Sequence, residues 1–146
     1  MLLSYKYKIT GLIIVVISLA LTALYFLAEL RFEVPVLAIF SSYVEPRFFA
    51  VFKTNFADET IILLLLSGLV MLVLSKEKNE RDVYKQLRTD AMIKSLGVNT
   101  VFIFLSVLFV YGSGFIAITI INLFMPFLLY LLFFYLLKKS GVKKIR

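Results

Sequence analysis

The chain of 146 residues has no cysteine and no histidine. That removes thiol nucleophiles, disulfides, Cys or His metal sites, haem ligation and imidazole proton relays together. Gly-rich phosphate loops, nucleophile elbows and paired-carboxylate motifs are missing too. Acidic and basic residues avoid the centres of the long apolar runs, where ion-coupled transporters and proton pumps place substrate and relay groups. These absences argue against an enzyme and against a secondary transporter. No metal and no cofactor is expected.

What is abundant is apolar length. Ile9 to Leu30 is broken only by Thr10, Gly11, Ser18, Thr22 and Glu29, and Phe115 to Leu137 only by Thr119, Asn122 and Pro126. Either run crosses a hydrocarbon core about 30 Å thick at a rise of about 1.5 Å per residue. Ile61 to Leu74 and Val98 to Tyr111 are shorter and reach the roughly 20 residues of a span by borrowing flanks, as 56–75 and 91–111. With 62% hydrophobic residues, a soluble domain of this size would have too much surface to hide them, so the runs read as membrane spans. A cleaved signal is the competing reading of the first run, with Lys6 and Lys8 as its positive region. Its 22 residues exceed the roughly 7–15 of a signal core, and Arg31-Phe-Glu-Val-Pro35 offers no small-residue cleavage site. It reads as a retained span.

The connecting segments are sorted by charge. Two cations precede the first run, six lie in 76–96 and five in the tail 138–146, thirteen in all against four carboxylates, a net of +9. The alternate segments hold three, Arg31, Arg47 and Lys53, against five carboxylates, a net of −2. The positive-inside rule then puts both termini and the middle segment in the cytoplasm. The overall +7 is thereby explained by topology and attraction to anionic headgroups, and no nucleic-acid partner is expected.

The loop 31–55 carries Phe32, Phe40, Tyr43, Phe48, Phe49 and Phe52, too many aromatics for a solvated linker. It is expected at the membrane interface, with a short helix between Pro46 and Asn55, or as a partner-docking cap. Asn55 reads as an N-cap with Asp58 and Glu59 in the first turn that follows; the adjacent carboxylates also allow a cation or acid–base site. The segment 76–90 has nine charged residues in 15, with Glu77–Arg81 and Lys78–Asp82 at i,i+4, which predicts a helix beginning near Asn79 or Glu80. Arg81, Lys85 and Arg88 are its candidate cytoplasmic docking residues. Tyr111-Gly-Ser-Gly114 is a tight turn, which makes the last two spans an antiparallel hairpin. Within the spans, Asn99 and Asn122 are the costliest groups, each expected to hydrogen-bond a neighbouring helix or subunit. Pro126 should kink the fourth span. Helix packing and possible pore lining are the two readings of Asn99, Asn122 and Pro126.

Leu74-Ser-Lys-Glu-Lys78, Leu87-Arg88, Val98-Asn99, Leu108-Phe-Val-Tyr-Gly112 and Asn122-Leu-Phe-Met-Pro126 resemble a group of uncharacterised small four-span inner-membrane proteins of the Bacteroides and Flavobacterium lineage. The resemblance covers about residues 60–140 and implies an inner-membrane location and four spans, without an activity. Asn79-Glu-Arg-Asp82 departs from the acidic run usual in that group.

The expectation is an all-α integral membrane protein: a single membrane domain forming a four-helix bundle with spans near 9–30, 56–75, 91–111 and 115–137, both termini inside a bacterial inner membrane. Its expected role is non-enzymatic, a self-associating structural or sensory subunit of a membrane complex, touching the lipid bilayer and a cytoplasmic or membrane protein partner. The alternative is a pore-forming or membrane-perturbing effector, for example in phage defence.

Overall fold

The computed structural model describes residues 2–29, 31–41 and 47–144. Four helices, α1 (Tyr5–Leu27), α2 (Ala57–Leu74), α3 (Val83–Phe109) and α4 (Ser113–Lys144), and two strands, β1 (Glu33–Ser41) and β2 (Arg47–Asn55), run in the order α1, β1, β2, α2, α3, α4. All four helices are long and apolar enough to cross a membrane, so the chain is built as a multi-pass helical membrane protein. Only 6–22% of each apolar window is buried, which leaves most Leu, Ile, Val and Phe side chains for lipid to cover. The chain forms two compact units: Met1–Leu12 with Gly68–Arg146, and Ile13–Ser67.

The Ile13–Ser67 unit contains the β-ribbon, a departure from the all-α expectation. β1 and β2 pair antiparallel from Glu33↔Asn55 through Leu37↔Val51 to Ser41↔Arg47. The short helix expected between Pro46 and Asn55 is instead β2. Its Phe, Val and Thr content suits a pleated strand, and β1, with Val34, Val36 and Ile39, supplies a partner of equal length. Phe49 has φ 51°, an uncommon left-handed conformation for a bulky residue. Phe40 lies in β1 and Phe52 in β2; Tyr43 falls outside the described residues. Asn55 closes the ribbon's base, its Oδ1 accepting from the N–H of Phe32 at 2.9 Å and of Ala57 at 3.3 Å. It thereby serves the start of α2, whose first turn carries Asp58 and Glu59.

The other unit brings together segments of all four helices. α3 and α4 form an antiparallel hairpin around Gly112, which has φ 67°, a conformation glycine adopts without a steric penalty. The core is Val73, Tyr84, Ala91, Tyr130 and Phe134, with Leu87, Phe127 and Leu131 packed around it. Its α3 and α4 members recur at three- and four-residue spacing, one face of each helix. α4 is helical through Pro126. α3 begins at Val83, not near Asn79 or Glu80, and neither expected i,i+4 pair of the 76–82 segment forms. Ser75, just past the end of α2, is instead bridged in parallel to Leu3; the Leu3 N–H donates to the Leu74 carbonyl and the Lys76 N–H to the Leu3 carbonyl, each at 2.9 Å.

Hydroxyls inside the apolar helices satisfy themselves. Ser18, Ser95 and Thr119 donate to the carbonyls of Val15, Met92 and Phe115 at 2.8–2.9 Å, so none needs a cross-helix partner. Close helix approach rests on Gly11: a Cβ there would stand 2.9 Å from the Gly68 carbonyl oxygen and 2.9 Å from the Met71 Cβ. We therefore expect Gly11→Ala to destabilise the protein by about 1–3 kcal/mol through overpacking. The thermal unfolding midpoint in detergent should fall, and an unchanged midpoint would mean that α1 does not pack on α2 at Gly11.

Candidate functional site

The densest polar constellation stands where α2 ends and α3 begins. A helix C-terminus leaves its last carbonyls without donors and carries a partial negative charge, a costly situation beside apolar surroundings. Arg88, on the second turn of α3, resolves it. Its Nη1 donates to the Val73 carbonyl at 3.4 Å and to the Tyr130 hydroxyl at 3.3 Å. Its Nη2 donates to the Ser75 carbonyl at 3.0 Å and to Glu80 Oε2 at 3.4 Å. The guanidinium carbon lies 4.8 Å from the centre of the Phe134 ring, a cation–π contact. Arg88 is 9% exposed, and its Nε is enclosed without a partner.

α4 builds the other wall through Tyr130, Phe134 and Lys138, three residues four apart on one helix face. The Tyr130 and Phe134 rings stack at 6.0 Å, Tyr84 meets Phe134 edge-on at 6.1 Å, and Lys138 Nζ lies 5.3 Å from the Tyr84 ring centre.

Above this layer sits Glu77, which accepts from Lys8 of α1 and from Lys138 of α4, the latter at 2.9 Å. Glu80 accepts the Glu77 N–H at 2.7 Å. One carboxylate therefore joins three stretches of chain. Partial burial pushes the Glu77 carboxyl up, and the two ammonium groups pull it down; the net direction is below its ordinary value of 4.5.

Of the residues singled out from sequence, Arg81 and Lys85 are exposed, as a docking surface requires. Arg88 is not: it is buried and committed to four protein acceptors, because α2 supplies carbonyls within its reach. Asn99 and Asn122 each have an enclosed Oδ1 without a hydrogen-bond partner, so that oxygen does not make the cross-helix bond expected of it. Since Arg88 meets Tyr130 and Phe134, an advance of eleven residues along α3 and a retreat of eight to twelve along α4 bring Asn99 and Asn122 to one depth, about 12–18 Å from the Arg88 layer. Glu77 was marked in sequence only as a local partner for Arg81, whereas Ser75, Tyr130 and Phe134 carried no signal of their own beyond the four-residue spacing of Tyr130, Phe134 and Lys138, which an apolar lipid-facing run obscures.

The arrangement defines a multi-pass helical membrane protein whose basic end is organised around a buried arginine. Comparison with protein-family models, with curated proteins and with solved structures gives no match.

Two outcomes follow from this geometry. Arg88→Leu should destabilise the detergent-solubilised protein by about 3 kcal/mol, because two helix-end carbonyls and the Tyr130 hydroxyl lose their donor. Arg88→Lys should recover only part of that, a point charge being unable to reach four acceptors. A group with a depressed folded-state pKa contributes stability that is present above its unfolded value and lost as pH falls through the folded one. The unfolding midpoint should therefore hold down to about pH 4.5, Glu77's ordinary value, and drop below it. Glu77→Gln should remove that part of the acid sensitivity, and an identical pH profile in the variant would refute the clamp.

Proposed function

We propose that the protein is a non-enzymatic subunit of a bacterial inner membrane, with both ends in the cytoplasm, that associates with itself and anchors or regulates a partner complex. The supporting observation is the β-ribbon. Leu37, Ile39, Phe49 and Val51 are 64–73% exposed, on a two-stranded sheet whose outer edges offer unpaired backbone groups. Four apolar helices already suffice for membrane attachment, so an additional apolar ribbon is best accounted for as a contact surface. The charge bias of the connecting segments supports the orientation, and the resemblance to small inner-membrane proteins supports the location.

The absence of native cysteine makes a direct test clean. A Val51→Cys chain, oxidised in native membranes, should run as a disulfide-linked dimer, while a Val16→Cys control on the outward face of α1 should not. Crosslinking requires Cα atoms within about 7 Å. Monomers from both Val51→Cys and Leu37→Cys, together with a monomeric native mass, would defeat the self-association reading.

A second reading, the pore-forming or membrane-perturbing effector, draws on Asn99 and Asn122. Two amide oxygens without donors at one depth would be satisfied by water in an open path. It expects growth arrest and dye leakage on overproduction, both abolished by Asn122→Leu; an inert overproduced protein would dispose of it.

A further inference from the structure

Two adjoining cavities open at the basic end of α3 and share Leu2, Arg88 and Thr89 as common wall. The first, about 500 Å³, is bordered by Lys76, Arg81, Lys85 and Arg88 against Glu80 and Asp82. The second, about 310 Å³, is bordered by Val73, Leu74, Met92 and Ile93, with Tyr130 as its remaining polar neighbour. Both volumes fall within the roughly 300–1,000 Å³ of ligand sites.

The charges of the first cavity are not balanced internally. Glu80 is engaged by Arg88 and by the Glu77 N–H. Among the described residues, Lys76, Arg81 and Lys85 have no carboxylate within ion-pair distance, whereas Lys8 and Lys138 are both paired to Glu77. Three unpaired cations thus surround one opening, backed by a buried arginine whose Nε lacks a partner. From Lys85 to Ile93 α3 advances about 12 Å, taking the lining from charged to apolar in the direction of the span. A charged head with an apolar tail attached fits this sequence of linings; a free anion would use only the first cavity.

We propose that the paired cavities bind one anionic phospholipid. Its phosphate lies among Lys76, Arg81 and Lys85, and one acyl chain runs past Thr89 along Val73, Leu74, Met92 and Ile93. The proposal is independent of what the β-ribbon contacts. Such a lipid would bridge the 74–76 segment to α3 and stabilise the end where α2 and α3 meet.

The test uses the purified full chain in neutral detergent, followed by native mass spectrometry during titration with phosphatidylglycerol, phosphatidylcholine of the same chains, and inorganic phosphate. One retained phosphatidylglycerol per chain is expected, bound at least tenfold more tightly than phosphatidylcholine. At about 1 kcal/mol per cation, or roughly fivefold each, the Arg81→Gln/Lys85→Gln double variant should bind about 25-fold more weakly. Both residues are exposed, so its lipid-free unfolding midpoint should match the wild type. Photocrosslinking of the wild-type chain by phosphatidylglycerol carrying a diazirine in one acyl chain needs no variant and should label the 73–74 and 92–93 segments. Equal binding of phosphatidylcholine, full displacement by inorganic phosphate, undiminished binding by the folded double variant, or photolabelling confined to other segments would each overturn the proposal.

Discussion

A guanidinium at the end of a helix is the contact on which the basic end depends. The last carbonyls of α2 point at an apolar neighbourhood, and without donors there each would carry a substantial desolvation cost. Arg88 supplies donors to Val73 and Ser75, while the Leu3 N–H supplies the donor to Leu74 between them. An arginine can do this because its planar fork serves several acceptors at once and its face lies comfortably on an aromatic ring, here Phe134. Burial of the charge is offset by those acceptors, by the Tyr130 hydroxyl and by Glu80. The same side chain therefore finishes α2, orients the start of α3 and docks α4.

The 75–82 connector then becomes intelligible. Its composition favours a solvated, salt-bridged helix, yet Glu77 finds both its cations, and Glu80 its arginine, outside the segment. Glu77 gathers Lys8 and Lys138, and Glu80 takes the Glu77 N–H and Arg88. A local i,i+4 pair is worth only about 0.2–0.5 kcal/mol, less than a charge-assisted hydrogen bond in a partly buried cluster. Long-range pairing wins, and α3 starts later than its sequence suggests. Among the described residues Lys76, Arg81 and Lys85, which border one cavity, have no carboxylate partner, which is why this end of the molecule suits an anionic headgroup.

Polar groups elsewhere sort by what they can do alone. Serine and threonine hydroxyls return to carbonyls of their own helix and cost the apolar spans little. An asparagine amide oxygen is an acceptor and finds no free N–H inside its own helix, and the Oδ1 atoms of Asn99 and Asn122 remain without donors. In the Ile13–Ser67 unit the two strands pair their facing backbone groups with each other, while Leu37, Ile39, Phe49 and Val51 stay exposed. The apolar length suited to a bilayer thus lies in the helices, and the ribbon adds a separate exposed apolar surface.

The four helices, the α3–α4 turn at Gly112 and the role of Asn55 at the start of α2 were legible in the residue order, because hydrophobic run length, glycine and N-cap chemistry act within a few residues. The ribbon was not. An aromatic-rich segment flanked by proline fits an interfacial helix or a strand equally well until a second segment is seen to pair with it, and β1 and β2 specify one another only in three dimensions. Nor did sequence mark Tyr130 or Phe134, or reveal that Glu77 pairs with Lys8 and Lys138 and that Arg88 meets Tyr130, since these depend on contacts between residues 42 to 69 positions apart. Local chemistry determined by itself that this chain has four membrane-length helices and which segments carry its charge. Tertiary structure alone decided which charges are spent on one another and which remain available to a ligand, because ion pairing is settled by distance in space and not along the chain.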